Sequence, residues 1–373
     1  MTQAPLQGIR VLDMTRLLPG NFAALMLMGM GAEVIKVEEP GSGDGTRYTI
    51  PAHASGESGA HLVLNRGKSS FAVDLKSEAG RASFLKLVAT ADVIVDSFRP
   101  GVFDRLNLGT DVLQAARPNL VHVSLTAFGD DGPYSQLPAH DLNSVGYAGL
   151  LSLSVDATGS PVMPAVQMAD MASAFHTALA VLAGLRVAER DNDGFEANVA
   201  MSDAAASMLT LASGHYAVTR EAVPAPWILT GMFACYGLYR CADDKWLTVG
   251  GLEAKFWLRM LELMSLGELG ELQYDIDRQR EVRSRLEAEF AKRPRSEWLE
   301  LLAFEDTCVG PVNDVAEAMS DPNLVDRGIV VDAQWSDGST APVVAAIPWL
   351  PEVGRATGLR APALGEQAGD DVK

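Results

Sequence analysis

RVLDM at residues 10–14 and EVIKVE at residues 33–38 are two short, largely apolar runs of strand-forming residues. Between them, residues 21–30 have the apolar content of a buried helix, which Gly31 would close. Strands that alternate with helices are joined by crossover connections, so this stretch predicts a mainly parallel sheet with helices on both faces. The fold class predicted from it is α/β.

The same alternation continues along the chain. Five-residue and six-residue apolar runs bounded by polar residues indicate strands, and longer Ala- and Leu-rich stretches indicate helices. The further elements are predicted, in chain order, as strands at 70–75, 92–96 and 120–125 and helices at 79–89, 170–189 and 199–211.

A length of 373 residues favours two domains. A Pro-Ala-Pro break at 224–226 interrupts the periodic pattern and indicates a linker. Residues 1–222 therefore form the predicted large domain, completed by the tail 331–373, and residues 223–330 form a smaller α+β domain. The smaller domain is predicted to hold a hairpin that contains Tyr239 and Trp246, followed by helices at 254–266 and 281–292.

Composition excludes several classes of protein. Apolar residues make up 48% and charged residues 21% of the chain, which is typical of a globular protein and not of a disordered one. The 30 basic and 48 acidic residues give a net charge of −18, a poor match for nucleic acid or an anionic membrane. Cys235, Cys241 and Cys308 suit neither a disulfide framework nor a CxxC zinc site. Since the first residues also lack a signal-peptide pattern, we expect a cytoplasmic location.

Two segments imitate nucleotide-binding motifs without completing them. GSGDG at 41–45 follows a strand but lacks the third glycine of GxGxxG, and RGKS at 66–69 lacks the glycine that a phosphate loop needs five residues before Gly67. The six histidines form neither HExxH nor a spaced set with cysteine. No metal site in the protein is therefore predicted.

His140 and Asp170 are the two positions that could carry chemistry. His140 lies in PAHDLN, a polar break before a predicted helix, and Asp170 begins the Ala-rich helix. An aspartate at a helix start is most often a cap or a partner of the helix dipole, and a histidine in such a loop is most often a surface residue. The residue types alone leave both roles open.

The chain resembles the family III CoA-transferases of the CaiB/BaiF type and, within that superfamily, most resembles the α-methylacyl-CoA racemases. In the transferases the aspartate that matches Asp170 is a nucleophile, and in the racemases a histidine at the position of His140 accompanies it. Because this chain has both, the resemblance favours an acyl-CoA racemase or epimerase. The resemblance is carried by motifs at 10–13, 18–20, 31–38, 65–68, 91–95, 98–102, 128–134 and 140–143.

Racemisation next to a thioester needs two acid/base groups, since a single base would mostly return the proton to the face it came from. The resemblance assigns these roles to His140 and Asp170, with Glu253 as the carboxylate that orients His140. A helix N-terminus lowers the pKa of a carboxyl whereas an apolar acyl pocket raises it, so Asp170 is subject to opposing effects. Backbone amides at the start of its helix are the expected donors to the enolate oxygen.

The acidic chain needs local cations to hold the phosphates of CoA, and no cofactor beyond this part of the substrate is expected. Arg99 and Arg105 match phosphate-contacting positions of the family, and an arginine fork suits phosphate. Lys68 and Lys36 are the further candidates, each with an ordinary surface charge as the alternative. The remaining residues assigned to CoA by the matching motifs are Asn65, Arg66, Gly67, Ala139, Asp141 and Asn143.

The resemblance also implies a Rossmann-like large domain and an interlocked homodimer, with the active site between the large domain of one chain and the small domain of the other. Two alternatives stay open. One is a CoA-transferase that works through an Asp170 intermediate, and the other is a CoA-binding protein without catalysis. Departures from the racemase pattern at 171–174, Ser144, Glu39 and Ala254 leave the acyl group unassigned.

Overall fold

The computed structural model describes residues 4–156, 158–350 and 354–367, which divide into two compact units. The first unit takes the chain up to Leu150, then Pro164–Leu209, then the residues from Met319 on. The second unit takes Leu151–Met163 and Thr210–Ala318. The predicted domain boundaries at 222 and 330 stay a prediction, since compactness alone does not test which segments fold together.

The described residues form helices of four to 24 residues. They are α1 (Leu17–Gly29), α2 (Gly59–Asn65), α3 (Glu78–Val88), α4 (Val102–Arg105), α5 (Thr110–Ala116), α6 (Asp141–Tyr147), α7 (Met168–Asp191), α8 (Met201–Ser207), α9 (Thr210–Thr219), α10 (Ala254–Leu263), α11 (Gln279–Phe290), α12 (Arg295–Leu302), α13 (Val315–Met319) and α14 (Pro322–Asp326).

A six-stranded parallel sheet forms the centre of the first unit. Its strands are β1 (Arg10–Met14), β2 (Glu33–Glu38), β3 (Ser69–Ala72), β4 (Val93–Asp96), β5 (Val121–Thr126) and β6 (Phe195–Ala200). They lie in the order β3-β2-β1-β4-β5-β6, and every neighbouring pair is parallel. The predicted α/β fold with a parallel sheet is confirmed. Because the order reverses at β1, a crevice opens at the carboxyl ends of β1 and β4.

Alternation along the strands distributes the core over both faces of the sheet. Val11 and its neighbours on one face pack with α1 and α7, whereas Leu12 and its neighbours on the other face pack with α3 and α5. Helix α7 is long and apolar enough to cross a membrane by length and composition. In the structure it packs along α1, β5 and β6, as the core helix of a globular unit does.

The sixth strand was not predicted from the sequence. The helix predicted at 199–211 overlaps the last two residues of this strand and otherwise corresponds to α8 and the start of α9. Phe195–Ala200 is an edge strand whose residues alternate between exposed and half-buried, and it ends immediately before α8. The exposed positions of this strand are Glu196 and Asn198. These polar residues interrupt the apolar run by which a buried strand is recognised in a sequence. Helix α1 also begins four residues earlier than predicted, because Pro19 and Gly20 fit into its first turn. A side chain at Gly20 would collide with Thr15.

The second unit contains an antiparallel sheet of β7 (Tyr236–Arg240), β8 (Trp246–Gly250) and β9 (Val309–Pro311). The predicted hairpin is confirmed, since Tyr239 pairs with Leu247 and Arg240 with Trp246. Helices α10 and α11 lie within two or three residues of their predicted bounds. They pack on the sheet with Trp257, Phe290 and Trp298 fully buried.

Residues near the C-terminus return to complete the first unit. Strands β10 (Val330–Gln334) and β11 (Thr340–Val344) form an antiparallel pair. The Arg66 guanidinium donates to the Val344 carbonyl at 2.6 Å, and the Gly67 N–H donates to the Arg360 carbonyl at 2.8 Å. The tail therefore closes on the segment that leads into β3.

A buried cluster of two lysines and two aspartates lies at the carboxyl end of the sheet. Lys68 Nζ is 2.8 Å from Asp13 Oδ2, and Lys36 Nζ is 3.0 Å from Asp44 Oδ2 and 3.5 Å from Asp13 Oδ2. Lys36 also donates to Asn21 Oδ1 at 2.5 Å. These contacts tie β1, β2, α1 and the segments that lead into β3 and out of β2.

The four charged groups compensate one another inside the protein. Burial by itself raises the pKa of Asp13, but Lys36 and Lys68 hold that pKa below its usual range. Burial and the nearby Lys36 lower the pKa of Lys68 to about 8, against the opposing effect of Asp13. Removing one partner would leave the others in a low-dielectric interior without a counter-charge.

We expect Lys68→Met to lower the free energy of unfolding by about 3–5 kcal/mol, because Asp13 loses its closest cation. The matched control is Lys76→Met, since Lys76 pairs with Glu39 on the surface and both side chains are exposed. Urea denaturation of the two variants measures the difference. Equal stability of the two variants would contradict an essential role of the buried cluster.

Candidate active site

A cavity of about 420 Å³ lies at the carboxyl ends of β1 to β4, at the reversal of strand order. Its lining combines the ends of the strands with the segments that follow them. The cations among its lining residues are Arg16, Lys76 and Arg99, and the acids are Glu38, Glu39, Asp44 and Asp74. Such a crevice is the usual place for a nucleotide-like ligand in an open parallel sheet.

Arg16 and Arg99 reach this cavity from the two central strands. Arg16 follows β1, is exposed, and donates its backbone N–H to Ser97 Oγ at 3.0 Å. Arg99 follows β4 and is also exposed, and its carbonyl accepts the N–H of Val102 at 3.1 Å. Sequence analysis missed Arg16, although a cation directly after β1 at the switch point is a usable signal. Arg105 is exposed on α4 but does not line the cavity.

Lys36 and Lys68 are not surface charges. Both ammonium groups are buried in the cluster with Asp13 and Asp44, so neither is free to meet a phosphate in this structure. This corrects the alternative of a solvated surface charge, whereas the contact of the two lysines with CoA stays a prediction. We leave the two lysines out of the proposed CoA site.

The residues around Lys68 are also held by the fold. Asn65 accepts from Lys68 Nζ at 3.0 Å, and Arg66 is buried with its guanidinium on backbone carbonyls. Gly67 has a φ of +78°, and a side chain there would collide with Met28. The motif 65–68 is thus explained by packing and by the return of the tail, and we do not carry it into the proposed CoA site.

His140 and Asp170 belong to two helix starts that one residue connects. His140 is the N-cap residue of α6, and its N–H donates to Asn143 Oδ1 at 3.1 Å. Asp141, the next residue, accepts the N–H of Ala169 at 2.7 Å and of Asp170 at 3.1 Å through one carboxylate oxygen. Asp141 therefore holds the first turn of α7 against the first turn of α6, directly after His140.

This arrangement gives Asp141 and Asn143 a structural explanation beside the predicted contact with CoA. Asn143 fixes the backbone of His140, and Asp141 fixes that of Asp170. Ala139 is half-buried just before the turn. The His140 side chain itself is exposed, so it is accessible to a substrate.

Asp170 is half-buried, and its environment is unfavourable for a negative charge. Burial and the neighbouring Asp141 charge raise the pKa of Asp170 to about 7. The opposing effects expected from the sequence are thus decided in favour of desolvation. A carboxyl with a pKa near neutral pH can both accept and donate a proton there.

Three of the expected enolate donors at the start of α7 are already used. The N–H groups of Ala169 and Asp170 both donate to Asp141, and the N–H of Met171 donates to the Gln167 carbonyl. The prediction that these amides face an enolate oxygen is therefore wrong for this structure. The side chain of Asp141, on α6, accepts two of these N–H groups in place of the expected enolate oxygen. No sequence pattern indicated this contact.

Glu253 lies in the second unit as the N-cap residue of α10, and its side chain makes no capping hydrogen bond. Glu253 is exposed, and its carboxylate does not bond to the backbone at the start of its own helix. Its predicted contact with His140 stays a prediction.

Within the residues that the structure describes, no group of three or more His, Cys, Asp or Glu side chains could hold a metal ion.

Residues 6–368 match the family model of CoA-transferase family III. The chain belongs to CoA-transferase family III.

Similar proteins include both transferases and a racemase. Succinyl-CoA:glutarate CoA-transferase of Mus musculus is 29% identical over 88% of this chain and 76% of its own. Alpha-methylacyl-CoA racemase of Homo sapiens is 30% identical over 94% of this chain and 89% of its own. The crystal structure of a CAIB/BAIF family protein from Brucella suis matches with a TM-score of 0.85 and 26% identity, over 99% of this chain and 98% of its own.

We expect Asp170→Asn to stabilise the protein at pH 8 by about 1–2 kcal/mol, allowing for the solvent contact of a half-buried group. The folded protein keeps the Asp170 proton up to about pH 7, whereas an unfolded chain loses it near the ordinary aspartate pKa of 3.8. Stability of the wild type therefore falls as pH rises through this window, and the asparagine variant avoids that loss.

Urea denaturation at pH 4 and pH 8 measures the effect, which should nearly vanish at pH 4. The control is Asp203→Asn, because Asp203 also lies in the first turn of a helix but is exposed. A gain for Asp170→Asn that is the same at both pH values would show that ionisation of Asp170 is not its cause.

Proposed function

We propose that this protein is an acyl-CoA racemase or epimerase that inverts the α-carbon of a 2-methylacyl-CoA or a similar thioester. The observation that carries the proposal is the link through Asp141, which brings the start of the Asp170 helix to the residue beside His140. Both groups are polar, accessible in part and held by backbone contacts. Two acid/base groups are what a 1,1-proton transfer requires.

In the proposed reaction one group removes the α-proton and the other returns a proton to the opposite face. For one epimer, neutral His140 takes the proton, the electron pair moves to the thioester oxygen, and protonated Asp170 delivers its proton to the α-carbon. For the other epimer the carboxylate accepts and the imidazolium donates. A pKa of Asp170 near 7 supports this scheme, because both of its forms are populated at neutral pH.

The CoA part of the substrate is proposed to lie in the crevice at the carboxyl ends of the sheet. Arg16 and Arg99 would contact its phosphates, with Lys76 at the edge of the same cavity. Arginine forks bind phosphate oxygens in pairs. Arg105 is a further candidate once its exposed side chain reaches over the ligand.

Two further features of the proposal rest on the family resemblance, and a third rests on the cysteines. Glu253 would orient His140 and stabilise its imidazolium, as the carboxylate of a catalytic triad does. Two chains would form an interlocked homodimer in which Glu253 comes from the partner. The free thiols of Cys235, Cys241 and Cys308 fit a reducing compartment, so we propose a cytoplasmic enzyme.

The first test is exchange of the α-proton. A pure enantiomer of a 2-methylacyl-CoA is incubated with the protein in deuterated water, without any acceptor acid, and deuterium and epimer ratio are followed. We expect exchange together with epimerisation, and a loss of about 10²–10⁴-fold in His140→Ala and in Asp170→Ala. His176→Ala is the control, because His176 is an exposed histidine of the same helix as Asp170.

A CoA-transferase is the second candidate, and the position of Asp170 supports it too. A half-buried carboxylate in a helix first turn could attack a thioester carbonyl, forming an acyl anhydride and releasing CoA thiolate. The thiolate would then attack the aspartyl carbonyl, which gives an Asp170–CoA thioester and releases the first acid as its carboxylate. The acceptor carboxylate would attack that thioester, which gives a second anhydride and releases CoA thiolate again. Attack of this thiolate on the acceptor carbonyl would give the new acyl-CoA and free the Asp170 carboxylate. No α-proton exchange over a panel of acyl chains, together with an Asp170–CoA adduct by mass spectrometry, would replace the racemase proposal with this one.

Asp141→Asn separates charge from structure at this site. The asparagine oxygen can still accept the amides of Ala169 and Asp170, while the negative charge that raises the Asp170 pKa is removed. We expect the pH–rate profile limb that reports Asp170 to shift to lower pH, while the desolvation that is the larger cause of the raised pKa remains. An unshifted profile with unchanged stability would contradict the assigned electrostatic role of Asp141.

A further inference from the structure

The segment that carries Arg99 is held at the carboxyl end of β4 by a buried aspartate, Asp96, and by His122. Asp96, the last residue of β4, accepts the N–H of Phe98 through Oδ1 at 2.8 Å. Its other oxygen, Oδ2, lies 2.8 Å from Nε2 of His122 on the neighbouring strand β5. The His122 ring is thus two hydrogen bonds from the backbone next to Arg99.

An aromatic contact series runs parallel to these hydrogen bonds. The Phe98 ring meets Phe103 edge-on at a centroid distance of 5.4 Å, and Phe103 meets His122 edge-on at 5.3 Å. Arg99 and His122 also line one cavity of about 420 Å³ on the other side of the segment. Both routes fix residues 97–101 relative to β5.

The surroundings of His122 are acidic on several sides. Asp96 faces it from β4, Glu196 from β6 and Asp130 from the segment after β5, while Arg99 and Asp104 line the same cavity. Burial opposes the charged imidazole, but the three carboxylates together raise the pKa of His122 above its usual value. In its charged form the pair with Asp96 is a charge-assisted hydrogen bond.

We propose that His122 is a positioning residue for CoA binding, which acts through Asp96 to hold Arg99 in place for a phosphate group. The inference rests on the proposed CoA site and adds to it a residue that lies outside the cavity in which Arg99 would meet the phosphate. Deprotonation of His122 at higher pH should therefore weaken the hold on Arg99 and the affinity for CoA.

The test is direct binding of CoA by calorimetry from pH 6 to pH 8.5, on the full chain and without turnover. His122→Phe keeps a ring against Phe103 but removes the nitrogen that meets Asp96. We expect its Kd to rise roughly 5–20-fold at pH 6 and to approach the wild-type value at pH 8.5. Since phosphate monoesters also titrate near pH 6, the readout is the ratio of variant to wild-type Kd at each pH.

Arg99→Ala and the double variant with His122→Phe test the route of the effect. If His122 acts through Arg99, the double variant should bind no more weakly than Arg99→Ala alone. Additive losses would overturn the positioning role. His53→Phe is the matched control, because His53 also stacks on an aromatic ring, that of Trp335, and faces a carboxylate, that of Asp337, but lies outside both cavities.

Two outcomes keep this inference apart from the proposed function. A wild type that does not bind CoA would overturn the CoA site itself and this inference with it. A wild type that binds CoA, with an unchanged affinity in His122→Phe at every pH, would overturn only the role of His122. Thermal unfolding checks that each variant is folded. If His122→Phe does not fold, Asp96→Asn takes its place, and it should show the same pH-dependent loss of CoA affinity.

Discussion

The buried pairing of Asp13 with Lys68 and of Asp44 with Lys36 is the constraint on which the carboxyl end of the sheet depends. Each charge would be costly alone in the interior, so the four groups are tolerated only together. Their partners lie on β1, β2 and α1 and on the segment before β3, which fixes these elements relative to one another. The cluster therefore fixes Asp44, which lines the cavity at the carboxyl ends of β1 to β4.

Much of the fold follows from local sequence, because buried parallel strands are apolar runs of a length that few other structures explain. The runs at 10–14 and 33–38 coincide with β1 and β2. The edge strand β6 escaped, since its exposed positions carry Glu196 and Asn198 and only its pairing with β5 makes it a strand. Tertiary pairing decided that segment, not propensity.

The candidate site also combines features that the sequence predicted with features that depend on contacts between distant residues. Motifs single out His140 and Asp170, and their helix starts are where the sequence placed them. The sequence could not show that Lys36 and Lys68 are internal, because a lysine looks the same whether its partner is water or a distant aspartate. Nor could it show that Asp141 occupies the amides at the start of α7, since that contact joins residues 28 and 29 positions apart.

The return of the tail to the first unit has a consequence for biosynthesis. Arg66 bonds to a carbonyl 278 residues later, and Arg47 to one 315 residues later. A ribosome makes the chain from its N-terminus, so the first six strands emerge long before the residues that complete their unit. The second unit, contained mostly in one continuous segment, can form meanwhile. Until those later residues have been made, Arg47 and Arg66 lack the carbonyl partners that they have in the folded unit.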